Sequence, residues 1–273
     1  MSNRRPKAPA GRAPVSLLVL ASVGLLFVAL PVLALVLRTP WSRVTDSLAD
    51  PVVLDALRLS MISAFGAALV AAVVGIPIAW VLARTDFAGR SVLRALVLVP
   101  LVLPPVVGGV ALLLAFGPRG ILGPALEQLG IVLPFTTAAT VVAAAFVALP
   151  FLVLSVEGAL TGADGRYEDV AATLGAGRLR TFVSVTLPMV APSIAAGLVL
   201  AWARALGEFG ATITFAGNLP GVTQTMPLAV YQMLPVDPDG SLTLSMLLLA
   251  ISVGVVIGMR NRWLPGLRRE LPS

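Results

Sequence analysis

Long stretches without a charged residue dominate the chain. Six are long enough to cross about 30 Å of hydrocarbon at ~1.5 Å per residue. They are Val15–Leu37, Leu59–Ala83, Ala95–Pro118, a span within Gln128–Val156, Thr181–Ala203 and Gly240–Met259. Each predicts a membrane-crossing helix, so the expected fold is an all-α integral membrane protein with six transmembrane helices. A seventh charge-free stretch, Phe209–Val236, holds three Pro, three Gly, four Thr, Asn218, Gln224 and Gln232. That mixture predicts a loop with short or re-entrant helical pieces rather than a crossing.

Composition narrows the chemistry. Of 273 residues, 58% are apolar and only 12% charged, where a soluble domain carries roughly 25%. The chain has no Cys, which excludes disulfides, thiolate nucleophiles and Cys metal sites, and no His, which removes the commonest general base and metal ligand. Its one Lys is Lys7, so no phosphate-binding loop of the G-x-x-x-x-G-K-[S/T] kind exists. No cofactor, metal or catalytic residue is expected, and ATP-driven work would need ATP on another subunit.

Net charge is +6. In a hydrophobic chain this excess speaks to membrane sidedness and not to nucleic acid. With six spans and both termini inside, the inner segments (the leader, 84–94, 157–180 and the tail after Met259) hold 14 of the 19 Lys and Arg, and the outer segments hold four. A seventh crossing would put the tail arginines outside. The expected organisation is a basic cytoplasmic leader over 1–14, a membrane domain over 15–259 and a basic cytoplasmic tail over 260–273. The first span is too long for a signal-peptide core and reads as a retained helix. Trp41 and Trp263 fall at expected interfaces as anchors, and Trp80 and Trp202 as packing residues.

Two segments carry functional signal. The third span contains Pro100, Pro104, Pro105, Gly108 and Gly109 within eleven residues, which predicts a broken helix; broken backbone in lipid persists only where protein or water satisfies it. The loop 157–188 predicts a short amphipathic helix from Tyr167 to Leu174. Val170, Ala171 and Leu174 share a face, Glu168 and Asp169 sit at the positive end, and Gly175 and Gly177 stop it. Eight residues of helix are marginal alone in water, so this one needs a partner.

The pattern Glu168-x2-Ala171-x3-Gly175-x9-Val185-x-Leu187-Pro188 resembles the "EAA" signature of inner-membrane permease subunits of binding-protein-dependent ABC importers. The family places Ala directly after the Glu, where this chain has Asp169 and Val170, and Ile where it has Val185. The resemblance implies a type I ABC importer transmembrane fold with a core at about 55–260. It makes Tyr167, Glu168, Asp169, Ala171, Leu174, Gly175, Leu187 and Pro188 the coupling residues that dock on an ATPase subunit.

The run Ala201-Trp202-Ala203-Arg204-Ala205-Leu206-Gly207-Glu208-Phe209-Gly210-Ala211-Thr212-Ile213-Thr214 is similar to permeases of molybdate importers, as are Thr223–Leu228 and the third-span run at Pro104, Pro105 and Gly108. Sulfate and thiosulfate permeases resemble it too. Arg204 and Glu208, four apart on one helix face, must pair, meet water or lie near an interface, because either charge alone in lipid costs about 2.5–3.5 kcal/mol. They are read either as a structural pair or as the rim of a gate. Gly207 and Gly210 allow close approach or bending, and Thr212 and Thr214 offer hydroxyls to a passing oxyanion.

The resemblance therefore implies a permease subunit, not an enzyme, in a bacterial plasma membrane, carrying molybdate or its analogue tungstate. It also implies a homodimer, two ATPase subunits and an extracytoplasmic oxyanion-binding protein that meets loops 38–57, 117–132 and 211–240. An ion-coupled secondary transporter would need a titratable residue in mid-membrane, and none of the six spans has one. An intramembrane hydrolase lacks both His and a Gly-x-Gly-Asp run.

Overall fold

The computed structural model describes residues 14–263, all of whose regular structure is helical. The leader up to residue 13 and the tail from 264 lie outside the described residues.

Helix α1, Val15–Arg38, buries none of its side chains and packs on the body along the last long helix. An apolar helix exposed all round is stable only in a lipid solvent. A single turn at Trp41–Arg43 and the short α2 (Val44–Ala49) lead to α3, Pro51–Arg84. Helix α3 begins eight residues before the expected span. The Asp50 carboxylate accepts from the backbone N–H of Val52 at 2.9 Å, and Pro51 takes the first helical position, where its missing N–H costs nothing. At 34 residues α3 is about 51 Å long, more than a bilayer core needs.

The third expected span is divided. Helix α4 covers Arg90–Val102 and α5 covers Pro105–Phe116. Leu103 and Pro104 between them are extended, since each precedes a proline whose ring excludes the helical conformation. The short α6 (Gly123–Gln128) follows, then α7, Thr137–Gly162, which Thr136 caps by accepting from Ala139 N–H. Helix α7 is the axis of the bundle. Its Ala143, Ala144 and Ala148 are fully enclosed, and α3, α4, α5 and the later α9 all pack on it. Helix α8 (Arg166–Thr173) is the expected short helix, shifted by one residue; α9 is Arg178–Leu206. The doubtful stretch after it is two short helices, α10 (Gly210–Phe215) and α11 (Met226–Met233), joined by loop. Helix α12, Pro238–Trp263, extends four residues past the expected last span. Five helices (α1, α3, α7, α9 and α12) are long and apolar enough to cross a membrane, and α5 is a shorter apolar piece.

Small residues and hydroxyls bring the helices together, as expected where lipid removes the hydrophobic drive between them. A side chain at Gly66 would strike Val141, and one at Gly197 would strike Leu152 and Ser155. Ser63 Oγ donates to the Thr140 carbonyl at 3.0 Å, Ser155 Oγ to the Ser193 carbonyl at 2.9 Å, and Met226 N–H to Ser60 Oγ at 2.7 Å. Trp202 packs inside against Phe65, and Trp80 meets Phe182 edge to face.

Two of the long helices contain a wide, π-type turn: Ala71–Gly75 in α3 and Phe182–Thr186 in α9. Each ends directly before a residue-plus-proline pair, Ile76–Pro77 and Leu187–Pro188. A helical proline has no N–H and its ring presses on the carbonyl four residues back, here Val73 and Ser184. Widening that turn relieves the clash.

Helix α3 also orients the molecule. Its first turns pack with Met226, Ala229 and Leu244, and its last residue, Arg84, reaches Glu168 of α8. The α8 elbow and the α2–α11 face therefore lie at opposite ends.

Candidate functional site

The elbow is built by local rules. Asp164 accepts from Arg166 N–H at 3.0 Å and turns the chain out of α7 into α8. At the other end Gly175 N–H bonds the Ala172 carbonyl and Ala176 N–H bonds the Ala171 carbonyl, both at 3.0 Å. This is a Schellman cap, and it places Gly175 at φ +82°. Gly177 is extended and starts α9.

The two faces of α8 differ. Tyr167, Val170 and Leu174 point to solvent, Leu174 with 83% of its surface exposed. Three apolar side chains in a row are thus left exposed on a short polar loop. Glu168, on the other face, faces inward: its Oε1 accepts from the Thr186 hydroxyl at 2.8 Å and its Oε2 lies 3.3 Å from Arg84 Nε. Asp169 and Ala171 lie on the same short helix, and Leu187 and Pro188 follow the wide turn against which it rests. The sequence pattern thus gathers in one place. One partner absent from the reading joins it, Arg84, and a second unforeseen pair, Arg94 of α4 with the buried Glu157 of α7, ties those two helices together. Both arginines are separated from their carboxylates by tens of residues, so no local spacing announces them.

The second constellation is a junction where α9 ends. Gly207 breaks α9, and Glu208, 3% exposed, turns its carboxylate inward. One oxygen accepts from Ala211 N–H at 2.8 Å and so caps α10; the other lies 2.7 Å from Arg204 Nη1. That second oxygen is buried and makes no hydrogen bond, so charge attraction holds the pair, and Arg204 keeps 29% of its side chain exposed. Helix α10 then packs against α5, bringing the two predicted runs together. A side chain at Gly210 would come within 2.6 Å of Pro105 Cβ, and one at Gly109 within 2.6 Å of Thr214 Cβ. Pro104 is the bend that aims α5 at this contact, and Gly108 faces Phe146 of α7. Phe209 lies against Tyr231, with ring centroids 5.1 Å apart. Thr212 is enclosed, and the Thr214 hydroxyl donates to the Gly210 carbonyl at 2.9 Å.

At the far end Arg43 holds Asp237 by two hydrogen bonds of 2.9 Å. These bonds, and then the Gly240 N–H, keep the Asp237 carboxyl below the usual carboxylate range and raise Arg43. Asp237 also starts α12, so the pair latches the Trp41–Arg43 turn to that helix. Among the described residues no cluster of acidic groups with metal-binding geometry occurs.

A family model described as "Binding-protein-dependent transport system inner membrane component" matches residues 75–265. The molybdenum transport system permease protein ModB of Mycobacterium tuberculosis is 48% identical over 244 residues, 89% of this chain and 92% of that protein. That of Escherichia coli K12 is 42% identical over 72% of this chain and 86% of its own length. The sulfate transport system permease protein CysT of Salmonella typhimurium is 37% identical, covering 76% of each. Among solved structures, a bacterial ABC transporter involved in import of the acidic polysaccharide alginate superimposes with a TM-score of 0.70 at 15% identity, over 94% of this chain and 96% of that one. That likeness speaks to fold.

Proposed function

The chain belongs to the family of binding-protein-dependent transport system inner membrane components, and from that premise we propose that it carries molybdate across the membrane. It is a multi-pass membrane permease subunit of an ABC importer and not an enzyme; the ATPase is a separate subunit. The observation that carries the molybdate reading is the likeness to molybdenum permeases along nearly the whole chain.

In this reading two copies enclose the pathway and two ATPase subunits bind at the elbow. The inward Glu168 ties α8 to α3 and α9, while Tyr167, Val170 and Leu174 remain free to seat on the ATPase. Closure of the ATPase dimer moves α8, and the fixed Glu168 passes that motion to the two helices it holds. The junction of Arg204, Gly207, Glu208 and Gly210 against Pro105 acts as the gate. It opens only when α10 separates from α5, so the two global states differ in that contact. A binding protein delivers the oxyanion at the α2–α11 end, and both termini are cytoplasmic.

The test is uptake of labelled molybdate by vesicles holding this chain with its co-purified ATPase and binding protein. Molybdate uptake that persists in excess sulfate supports the reading. Sulfate competing at lower concentration than molybdate would favour a sulfate permease, the reading suggested by the CysT likeness. Sidedness has its own test: a Cys replacing the exposed Leu174, in a chain without native Cys, should be labelled only from the cytoplasmic face.

A further inference from the structure

Behind α8 lies a cavity of about 370 Å³ whose wall carries charged side chains. Arg84, Arg178 and Thr181 line it, with Glu168 and Thr186 along one wall and Trp80 along another. Two guanidinium groups therefore face one carboxylate, and that carboxylate is engaged by Thr186 and by its place beside Arg84 Nε. Nε and Nη2 of Arg84 are closed off from solvent and make no hydrogen bond. Thr181 is only 9% exposed and lines the cavity. Arg178 opens the 29-residue α9 behind Gly177, which caps no N–H with a side chain, so the first-turn amides and the positive end of a long helix are open here.

Two guanidinium groups against a single carboxylate that is already engaged leave an excess of positive donors, the composition of an anion site, and the planar fork of Arg matches two oxygens of one tetrahedral group. We infer that this cavity binds a single tetrahedral oxyanion group, borne either by a free inorganic anion or by the phosphate of an anionic lipid headgroup. Bound there, the group bridges Arg84 at the end of α3 to Arg178 at the start of α9 and braces the turn from which α8 hangs. A singly charged phosphate diester brings the cavity's charges to zero. The inference is independent of which substrate the chain transports.

Trp80 reports on the cavity, and a Trp80→Phe variant isolates its signal. The full chain is placed in phosphatidylcholine nanodiscs and titrated with inorganic phosphate, then with molybdate; a second set of discs contains phosphatidylglycerol and no added anion. A free-anion site gives a saturable change in Trp80 emission in phosphatidylcholine. Arg178→Gln should raise its half-saturation by about tenfold or more, and Thr181→Val by a few-fold. A lipid site gives an emission difference between the two disc types that Arg178→Gln abolishes and that free anion does not reproduce. No response in either arm, or equal responses in both variants and the parent, overturns the inference. So does a response that arises only when the ATPase subunit is added, which would assign the arginines to a protein carboxylate. Arg84→Gln is not the deciding variant, because it also releases Glu168.

Discussion

Gly175→Ala is the sharpest test of the elbow. A methyl group there meets no atom within 4 Å, so sterics between residues contribute nothing. The whole effect is conformational: Gly175 sits at φ +82°, a left-handed region that costs an L-residue roughly 1–2 kcal/mol. Helix α8 has only eight residues, and its last two cap bonds depend on that conformation. Opening of the α8 C-terminal turn should therefore become roughly 5–30 times more frequent. Hydrogen exchange of the amides from Val170 to Ala176, measured on the full chain in micelles, reads this directly. The matched control is Gly177→Ala, also free of contacts but at φ −67°, ψ 159°, where Ala is at ease. It should be neutral or stabilising by about 0.4–1 kcal/mol through the unfolded chain. Stimulation of the ATPase should fall in Gly175→Ala and hold in Gly177→Ala. Equal exchange in the two variants would refute the assignment of Gly175 as the helix stop.

Glu208→Gln keeps an acceptor for Ala211 N–H but removes the charge beside Arg204. Uptake should change more than the thermal midpoint, and lost stability with unchanged uptake would make the pair structural only. Gly210→Ala forces a methyl to 2.6 Å from Pro105 Cβ and 3.2 Å from Val106 N, so thermal unfolding should show a loss of about 1–3 kcal/mol. Gly158→Ala, in open space, should show none of that loss. The Arg43–Asp237 latch has a defined pH response. Arg43 depresses the Asp237 carboxyl below its ordinary 3.8, so its contribution is full above that value and is lost only as pH falls through the lower folded-state value. Exchange at the start of α12 should be flat in its protection from pH 7 to 5, after correction for intrinsic rates, and should rise below the carboxylate range; Arg43→Gln should remove the response.

Apolar length alone located α1, α7, α9 and α12 to within a turn or two, because in lipid a helix must satisfy its own backbone. The charge-free criterion missed the start of α3, since Asp55 and Arg58 interrupt the run, although Asp50–Pro51 is a legible start signal. The division of the third span was written in Pro104 and Pro105, and the elbow helix in Glu168 through Gly175. What the sequence hid was tertiary. Nothing local ties Arg84 to Glu168, Arg94 to Glu157 or Arg43 to Asp237, and nothing local shows that Glu168 faces inward while Leu174 faces out. Thr212 and Thr214, read as donors for a passing anion, are enclosed or bonded to their own helix in this conformation.

The wide turn at Ala71–Gly75 sets the rotational phase of everything after it in α3. One residue of an ordinary helix turns the axis by about 100°, and the wide turn takes up one residue more than its neighbours. With it, Ala67 before the turn, Ala71 and Gly75 at its two ends, and Ala79 and Leu82 after it all remain on the enclosed side. Deleting a single residue there would leave a straighter rod whose final turn points elsewhere, swinging Arg84 off Glu168. Pro77 thereby governs, from two turns away, whether the long rod and the short α8 share a bearing.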